Sequence, residues 1–464
     1  MMEYEKLKDA LLAEIDTGLK FARSLDSSAE FEIYLMYRQQ SSVDISQGKV
    51  KANDGIVAGN AVRVAKDQCV SFSSSSGISA ERIKLSIREA VSSLKAVSVK
   101  DERFQGFLDP MRQGREGVFA TEILNLSTED LVNAAKQLTE NARGAGENIM
   151  AQSECGVDWG GFAIGNSRGV QRASASAANY CQVYAMVIKG DERRGAYTYD
   201  VTRERVFDIE GVGEQATKEA TSLLGAKKLE ITAEMPTLWI PKAAASYVLA
   251  SLGQSANGRS VVEGLSPISE RIGDKIATPR FTVHDDGQNP ASLGTQAVDH
   301  EGHPQGKTAI IQQGQLKNFL FDSYYARAFN TDSTGNCSRG GGPFGATLPF
   351  ESAPGISSTS LEIVPGSKSE EELIASIDGK GVMIVDLPAG IFHSDVATGE
   401  FSVVAACVFL IEEGEKRGAI QPVSVSGSFY KGFEQLLEVG NNLERTPWGV
   451  TIPSLVFDGF TIVG

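Results

Sequence analysis

The stretch Val298 to Lys307, VDHEGHPQGK, places a glutamate between two of the chain's four histidines. A zinc peptidase of the H-E-x-x-H kind needs its histidines four residues apart, so that one helical face offers both imidazoles to the metal while the glutamate polarises a water. Here His300 and His303 are three apart, and Gly302 and Pro304 would break a helix through the segment. The segment therefore reads as a polar, solvent-facing connection into a hairpin. Its strands are expected at Thr308 to Ile311 and Leu316 to Phe321, joined across Gln313-Gly314.

His393 lies in DLPAGIFHSDVATGEFS, a loop between the strand-like runs GVMIVDL and FSVVAACVFLI. Ser394 and Asp395 beside it complete a triad by composition only, because chain neighbours rarely aim their side chains at one reacting atom. Loops held by strands do gather binding groups, so His393, Ser394 and Asp395 are candidates for a groove or an interface. The segment TGNCSRGGGPFG, Thr334 to Gly345, lacks the Lys-Ser/Thr ending of a phosphate loop. Close-packed backbone that accepts an extended peptide suits it better, with Arg339 and Gly340 as candidates. Cys337 would be reactive only if exposed, and no nearby His, Lys or helix start would lower its pKa. In VHDDGQNP, His284 to Pro290, the two aspartates and the glycine are expected to shape a turn rather than to bind metal.

The elements that must position these residues follow from periodicity. Leu7, Leu11, Leu12, Ile15 and Leu19 predict an amphipathic helix over Tyr4 to Leu25. Four strand-like runs follow as an antiparallel meander, AEFEIYLMYR, SSVDISQGKVK, GIVAGNAVRVAKD and QCVSFSSSS. Ser79 is the expected cap of a second helix that buries Ile83, Ile87, Val91 and Leu94. Residues 101–120 read as a connection. A middle unit then holds a helix near Thr128 to Ala145, strands near Ile149 to Asp158 and Gly161 to Asn166, long strands through 170–201, and a helix over Ile209 to Leu224. Beyond Thr237 strands dominate, with helices expected at Ala243 to Leu252, Tyr324 to Phe329, Glu370 to Ser376 and Phe433 to Glu438. The expected class is α+β: helix-plus-antiparallel-sheet units in the N-terminal half (1–100 and 121–232) and a strand-rich C-terminal domain (233–464).

Composition narrows the functions. A net charge of −15 opposes a phosphate-dominated grip on nucleic acid. No run approaches the roughly 20 apolar residues of a membrane helix, and the amino terminus lacks a secretory pattern, so a cytoplasmic location is expected. Five cysteines without a CxxC pair argue against a disulfide framework and a Cys-rich zinc site.

Stretches along nearly the whole chain resemble the TldD/PmbA family, whose members have been described as modulators of DNA gyrase and as parts of an intracellular metalloprotease. They include GIVAGNAVRVAKDQCVSFSSSSGIS, NSRGV, PRFTVHDDG, DHEGHPQGKTAIIQQGQLKNFLFD, STGNCSRG, LPAGIFHSDVATGEFSVVAACVFLIEEGE, SFYKGFEQLLEVGNNL and IPSLVFDGFTIVG. The resemblance implies two kinds of subunit that pair as a heterodimer. The peptidase kind carries an H-E-x-x-x-H motif on the helix after the domain junction and a late cysteine as a further zinc ligand. Here the corresponding helix, KAAASYVLASLGQSANG from Lys242 to Gly258, has no His, Glu or Cys, and VGNNLERTPWGVTIPSL has no Cys. A catalytic zinc needs three protein donors. The resemblance thus implies the PmbA, or TldE, kind: no catalytic, cofactor or metal residue in this chain, zinc on a TldD-like partner, and extended peptides as ligands. Self-pairing of the isolated chain stays open. Two rivals stand beside it. One is a free-standing metallopeptidase with a displaced site from His300 and His303, with His393 a candidate third ligand. The other is a non-proteolytic modulator that binds gyrase or toxin-antitoxin proteins.

Overall fold

The computed structural model describes every residue except 1, 2, 113, 145–147 and 341–346. In the N-terminal half one succession occurs twice: helix, three antiparallel strands, helix. The first set is α1 (Glu3–Leu25), β1 (Glu30–Ser46), β2 (Lys49–Lys66), β3 (Cys69–Ser76) and α2 (Ala80–Leu94). The second is α3 (Thr128–Arg143), β4 (Ile149–Asn166), β5 (Gln171–Lys189), β6 (Glu192–Thr202) and α4 (Val212–Ser222). β1 pairs with β4, so both sets share one six-stranded sheet of order β3-β2-β1-β4-β5-β6.

The expected four-strand meander is three strands. Gln39 to Ser42 do not end β1, because β2 and β4 pair its backbone on both sides and leave the polar side chains to alternate between the faces. The true turn is Gln47-Gly48, both at positive φ (51° and 77°), as a two-residue hairpin turn requires. Double-sided pairing likewise carries β4 unbroken through Gly160-Gly161.

The four helices cover one face of the sheet. Leu11, Ile15 and Leu19 of α1 and Ile83 and Ile87 of α2 pack on Phe31, Ile33 and Leu35. Leu131, Ala135 and Leu138 of α3 pack on Val43, Cys155 and Val183. Ser127 and Asp130 form a capping box at α3. Ser79 does precede α2, but its side chain makes no cap bond.

The C-terminal half opens with β7 (Thr232–Trp239) and α5 (Pro241–Ser255) and builds, besides the short pair Cys337–Ser338 with Gly355–Ile356, two larger sheets. One includes β8 (Val283–Asp286) and β9 (Lys307–Gln312). The other runs Glu400–Ala405, Val423–Ser428, Leu455–Val463, β7, Lys380–Ile384, Val408–Glu412, Glu415–Ile420. The run FSVVAACVFLI is therefore two strands, not one. α5 is apolar around most of its circumference and sits in the main core, where Tyr247 meets Trp239, Phe401, Phe429, Phe433, Phe457 and Phe460.

The hairpin across Gln313-Gly314 forms as expected, though its second strand is only Gln315–Leu316. Helices occur at Ser323–Ala328 and Glu370–Ala375, close to the expected ranges. The helix expected at Phe433 to Glu438 lies earlier, at Phe429–Glu434, and Leu436–Val439 is a strand on Leu455–Val463. Burial of Leu436 and Val439 against that strand outweighs continuation of the helix. Among the described residues no helix is long and apolar enough to cross a membrane. In the connection after α2, Gly114 and Val118 donate their N–H groups to the carbonyls of Ala297 and Pro290 in the other half.

Candidate functional site

The turn that mimics a metal motif is not solvent-facing. Asp299 and Glu301 are buried, because their carboxylates replace backbone partners that an irregular segment lacks. Asp299 Oδ1 accepts the N–H groups of Glu301 (3.0 Å) and His303 (2.9 Å), and its Oδ2 accepts that of Cys337 (3.0 Å). Glu301 accepts the N–H of Ser323 (2.7 Å) and its hydroxyl (2.5 Å), while Asp322 accepts the N–H of Tyr325 at 2.8 Å. Gly302, at φ 91°, closes the turn where a Cβ would lie 2.6 Å from Val170 Cγ1. Burial, then repulsion from Glu301, raises the carboxyl pKa of Asp299 well above its usual value and that of Asp322 to about 7.

Next to this turn an ion network joins the two halves. Glu32 of β1 holds Arg63 of β2 through two bonds of 2.7 Å and accepts Arg339 Nη2 at 2.6 Å. The Arg339 guanidinium also stands over the Tyr34 ring, 4.9 Å from its centroid. The backbone N–H of Arg339 donates to His300 Nδ1 at 2.8 Å, and the His300 ring meets Phe162 edge-on at 4.7 Å. Burial and the neighbouring guanidinium drive the imidazole pKa down to about 3, so it is neutral.

The sheet face away from the helices is only partly covered. Val298 and Phe350 pack on Tyr34, Ala61 and Phe162 at one end. At the other, Tyr199 donates to Glu444 at 2.6 Å. Between these contacts lie a cavity of about 270 Å³, walled by Met36, Phe162, Gln296, His300 and Pro349, and one of about 400 Å³, walled by Gln40, Tyr180, Gln182, Tyr197 and Tyr199. The Arg38–Asp158 ion pair borders both. The tyrosines hold a polar lattice in which Tyr180 and Gln182 donate to Glu154 at 2.7 and 2.5 Å, and Tyr197 donates to Gln182. Such a trench offers rings for packing and few uncommitted charges.

The residues singled out in the sequence scatter. His393 ends a short turn at Ile391–His393 and is exposed, and Ser394 and Asp395 follow it, with Asp395 accepting the Ala397 N–H at 2.9 Å. None of them lines the cavities described above. Arg339 is buried in the ion network, and Gly340 beside it borders a small cavity of about 170 Å³. Of the glycine-rich segment, 341–345 lie outside the described residues. Cys337 is buried, and burial with the flanking carboxylates pushes its thiol pKa far up, which excludes ready reactivity. His284, Asp285 and Asp286 belong to strand β8 rather than to a turn. Asp285 is buried and ties that strand to Asn336 (2.5 Å), Thr359 (2.8 Å) and Ser360 (2.7 Å). Sequence reasoning missed Glu32, Arg63 and Gln296; a glutamate inside the apolar run EFEIYLMYR was the available signal.

Three stretches match three domains of one family: residues 31–94 the PmbA/TldA metallopeptidase domain 1, 121–224 its central domain and 232–464 its C-terminal domain. The chain belongs to the PmbA/TldD family. The Metalloprotease PmbA homolog of Haemophilus influenzae is 22% identical over 97% of this chain and 99% of its own length. The Metalloprotease TldD homolog of Buchnera aphidicola is 22% identical over 93% of this chain and 92% of its own. TldE from Thermococcus kodakarensis has the same fold, with a TM-score of 0.88 at 24% identity over 97% of this chain and 100% of that one. A Thermotoga maritima protein described as a candidate modulator of a DNA gyrase gives 0.85 at 22% identity, with the same coverage of both chains.

The family description implies a metal, and α5 does not fit one. Its buried positions carry Pro241, Ala243, Ala244, Ala245, Tyr247, Val248, Ala250, Leu252 and three serines, embedded among aromatic rings, and Lys242, whose ammonium is paired with Glu219 and is no metal ligand. Among the described residues one group of possible ligand atoms lies within 4.8 Å, that of Asp299, Glu301 and Cys337. Its carboxylate oxygens are already aimed at by the N–H groups of Glu301, His303, Cys337 and Ser323. No histidine belongs to that group, and His303 Nδ1 donates to the carbonyl of Pro304 at 2.8 Å. The geometry thus gives no support to a site built from His300, His303 and His393.

Proposed function

We propose that this PmbA/TldD-family chain is the non-catalytic, TldE-like subunit of a cytoplasmic zinc metalloprotease, and that its metal-bearing partner is a TldD-like chain. The observation that carries the reading is α5. The helix that bears the metal motif in the peptidase kind is here a core helix of methyl and hydroxyl side chains around Tyr247, whose OH donates to the Phe429 carbonyl at 2.7 Å. Hydrolysis then depends on the partner, and this chain contributes fold stability and a wall of the peptide chamber. The trench beneath the six-stranded sheet is the natural wall, since it is lined by tyrosines and small residues rather than by free charges. Unfolded or small peptides are the substrates that such a chamber admits.

The test is cleavage of a set of unstructured peptides by the chain alone, by a TldD-like protein alone, and by their mixture, each with a zinc chelator control. The expected result is zinc-dependent turnover that requires the TldD-like protein and increases on adding this chain. Zinc-dependent turnover by this chain alone would overturn the reading.

A further inference from the structure

His300 has a fixed tautomer. Its Nδ1 accepts the Arg339 N–H at 2.8 Å, so a neutral ring must carry its proton on Nε2. The ring is clamped by Phe162 and Tyr34, with centroids at 4.7 and 5.2 Å, and it borders two cavities. One is the cavity of about 270 Å³ on the sheet face away from the helices, and the other, of about 170 Å³, runs between the Asp299 turn and Ser357 to Thr359. Gln296 borders the same two cavities, and its Oε1 is buried without a hydrogen-bond partner among the described residues. A buried acceptor left unpaired is destabilising, so a donor that reaches it is favoured. A neutral donor and an orphan acceptor therefore border the same two cavities. The nearby charges are committed elsewhere: Arg339 to Glu32, Asp299 to three N–H groups and Arg38 to Asp158.

We infer that His300 and Gln296 form a binding subsite for an uncharged secondary amide, namely one peptide group of an extended chain. The peptide carbonyl accepts from His300 Nε2–H, the peptide N–H donates to Gln296 Oε1, and the adjoining side chain packs on Met36, Phe162 and Pro349. A free carboxylate or phosphate finds no uncommitted cation among these residues, and an ammonium finds no uncommitted carboxylate. The inference rests on the peptide-chamber reading for its choice of a peptide as the amide donor.

The test uses the full chain and an N-acetylated, C-amidated tetra-alanine, titrated by NMR. Three comparisons are made: the Gln296→Leu variant, a depsipeptide in which one ester replaces an amide, and the two together. The Gln296→Leu change removes the orphan acceptor and keeps a side chain of similar reach, so thermal stability is expected to hold or rise. Affinity is expected to fall about tenfold with Gln296→Leu, the worth of one hydrogen bond. It should fall similarly with the ester, and no further when both are combined. Absence of wild-type binding, equal affinity of Gln296→Leu, or full additivity of the two changes would overturn the subsite. Failure of the subunit reading looks different: peptide binding and its loss in Gln296→Leu persist, while adding this chain to a TldD-like protein leaves zinc-dependent cleavage unchanged.

Discussion

Arg339 donates Nη2 to Glu32 Oε1 at 2.6 Å across 307 positions of sequence, with both side chains almost wholly buried. Glu32 simultaneously holds Arg63, so one carboxylate neutralises part of a pair of buried guanidinium groups at the junction of the two halves. Replacing Glu32 by glutamine keeps the shape and strands that charge. Breaking a buried pair from one side costs about 3–5 kcal/mol. Urea unfolding of Glu32→Gln is therefore expected to show a loss of that order. A loss below about 1 kcal/mol would mean that the network is solvated in solution.

Two groups near this junction titrate in opposite senses. His300 is held near 3 against an ordinary value of 6.5, so the unfolded chain binds a proton that the native one refuses, and stability declines as pH falls from about 6.5 toward 3. Asp322 is held near 7 against an ordinary 3.8, so the native chain keeps a proton that the unfolded one releases, and stability declines as pH rises from about 4 to 7. Asparagine at 322 can keep the cap on the Tyr325 N–H without titrating. The Tm of Asp322→Asn relative to wild type is expected to increase steadily between pH 4 and 7. A pH-independent difference would show that Asp322 titrates normally.

Periodicity makes most of the N-terminal half legible. Leu11, Ile15 and Leu19 repeat at helical spacing, and Phe31, Ile33 and Leu35 alternate, because one covered face suffices to print a pattern. The pairing of β1 with β4 is not legible, since polar residues such as Gln39 and Gln40 carry no mark of which strand will satisfy their backbone. The Asp299 turn reads as exposed for a related reason. A carboxylate that serves buried N–H groups looks, in sequence, like one that faces water. His300 stands out as a possible ligand, but its actual partners, Arg339 and Phe162, are distant in sequence.

The α5 core can be challenged by giving it a metal ligand. Ala250 is 2% exposed and lies in the same cluster as Tyr247 and Phe457. Histidine there adds volume to a filled core and buries a polar ring without a prepared partner, a combination expected to cost about 1–3 kcal/mol or more. Ala250→His is therefore expected to lower the Tm and to bind no stoichiometric zinc by metal analysis after dialysis. A stable variant that acquires one tightly held zinc would mean that the metal geometry survives in this helix.

Another contact between the halves, that of Phe350 with Gly59, can be tested by a cycle. The Phe350 ring, 2% exposed, lies flat against Gly59 of β2, where a Cβ would collide with the ring itself. Gly59→Ala forces the ring aside and is expected to cost about 1–3 kcal/mol. Phe350→Ala alone removes a buried aromatic at about 3–5 kcal/mol. In the Phe350→Ala background the methyl at position 59 meets open space and lowers the entropy of the unfolded chain, so the Gly59→Ala cost should vanish or reverse. Chemical unfolding of the four proteins measures the coupling, and additive costs would show that Phe350 does not rest on Gly59 in solution.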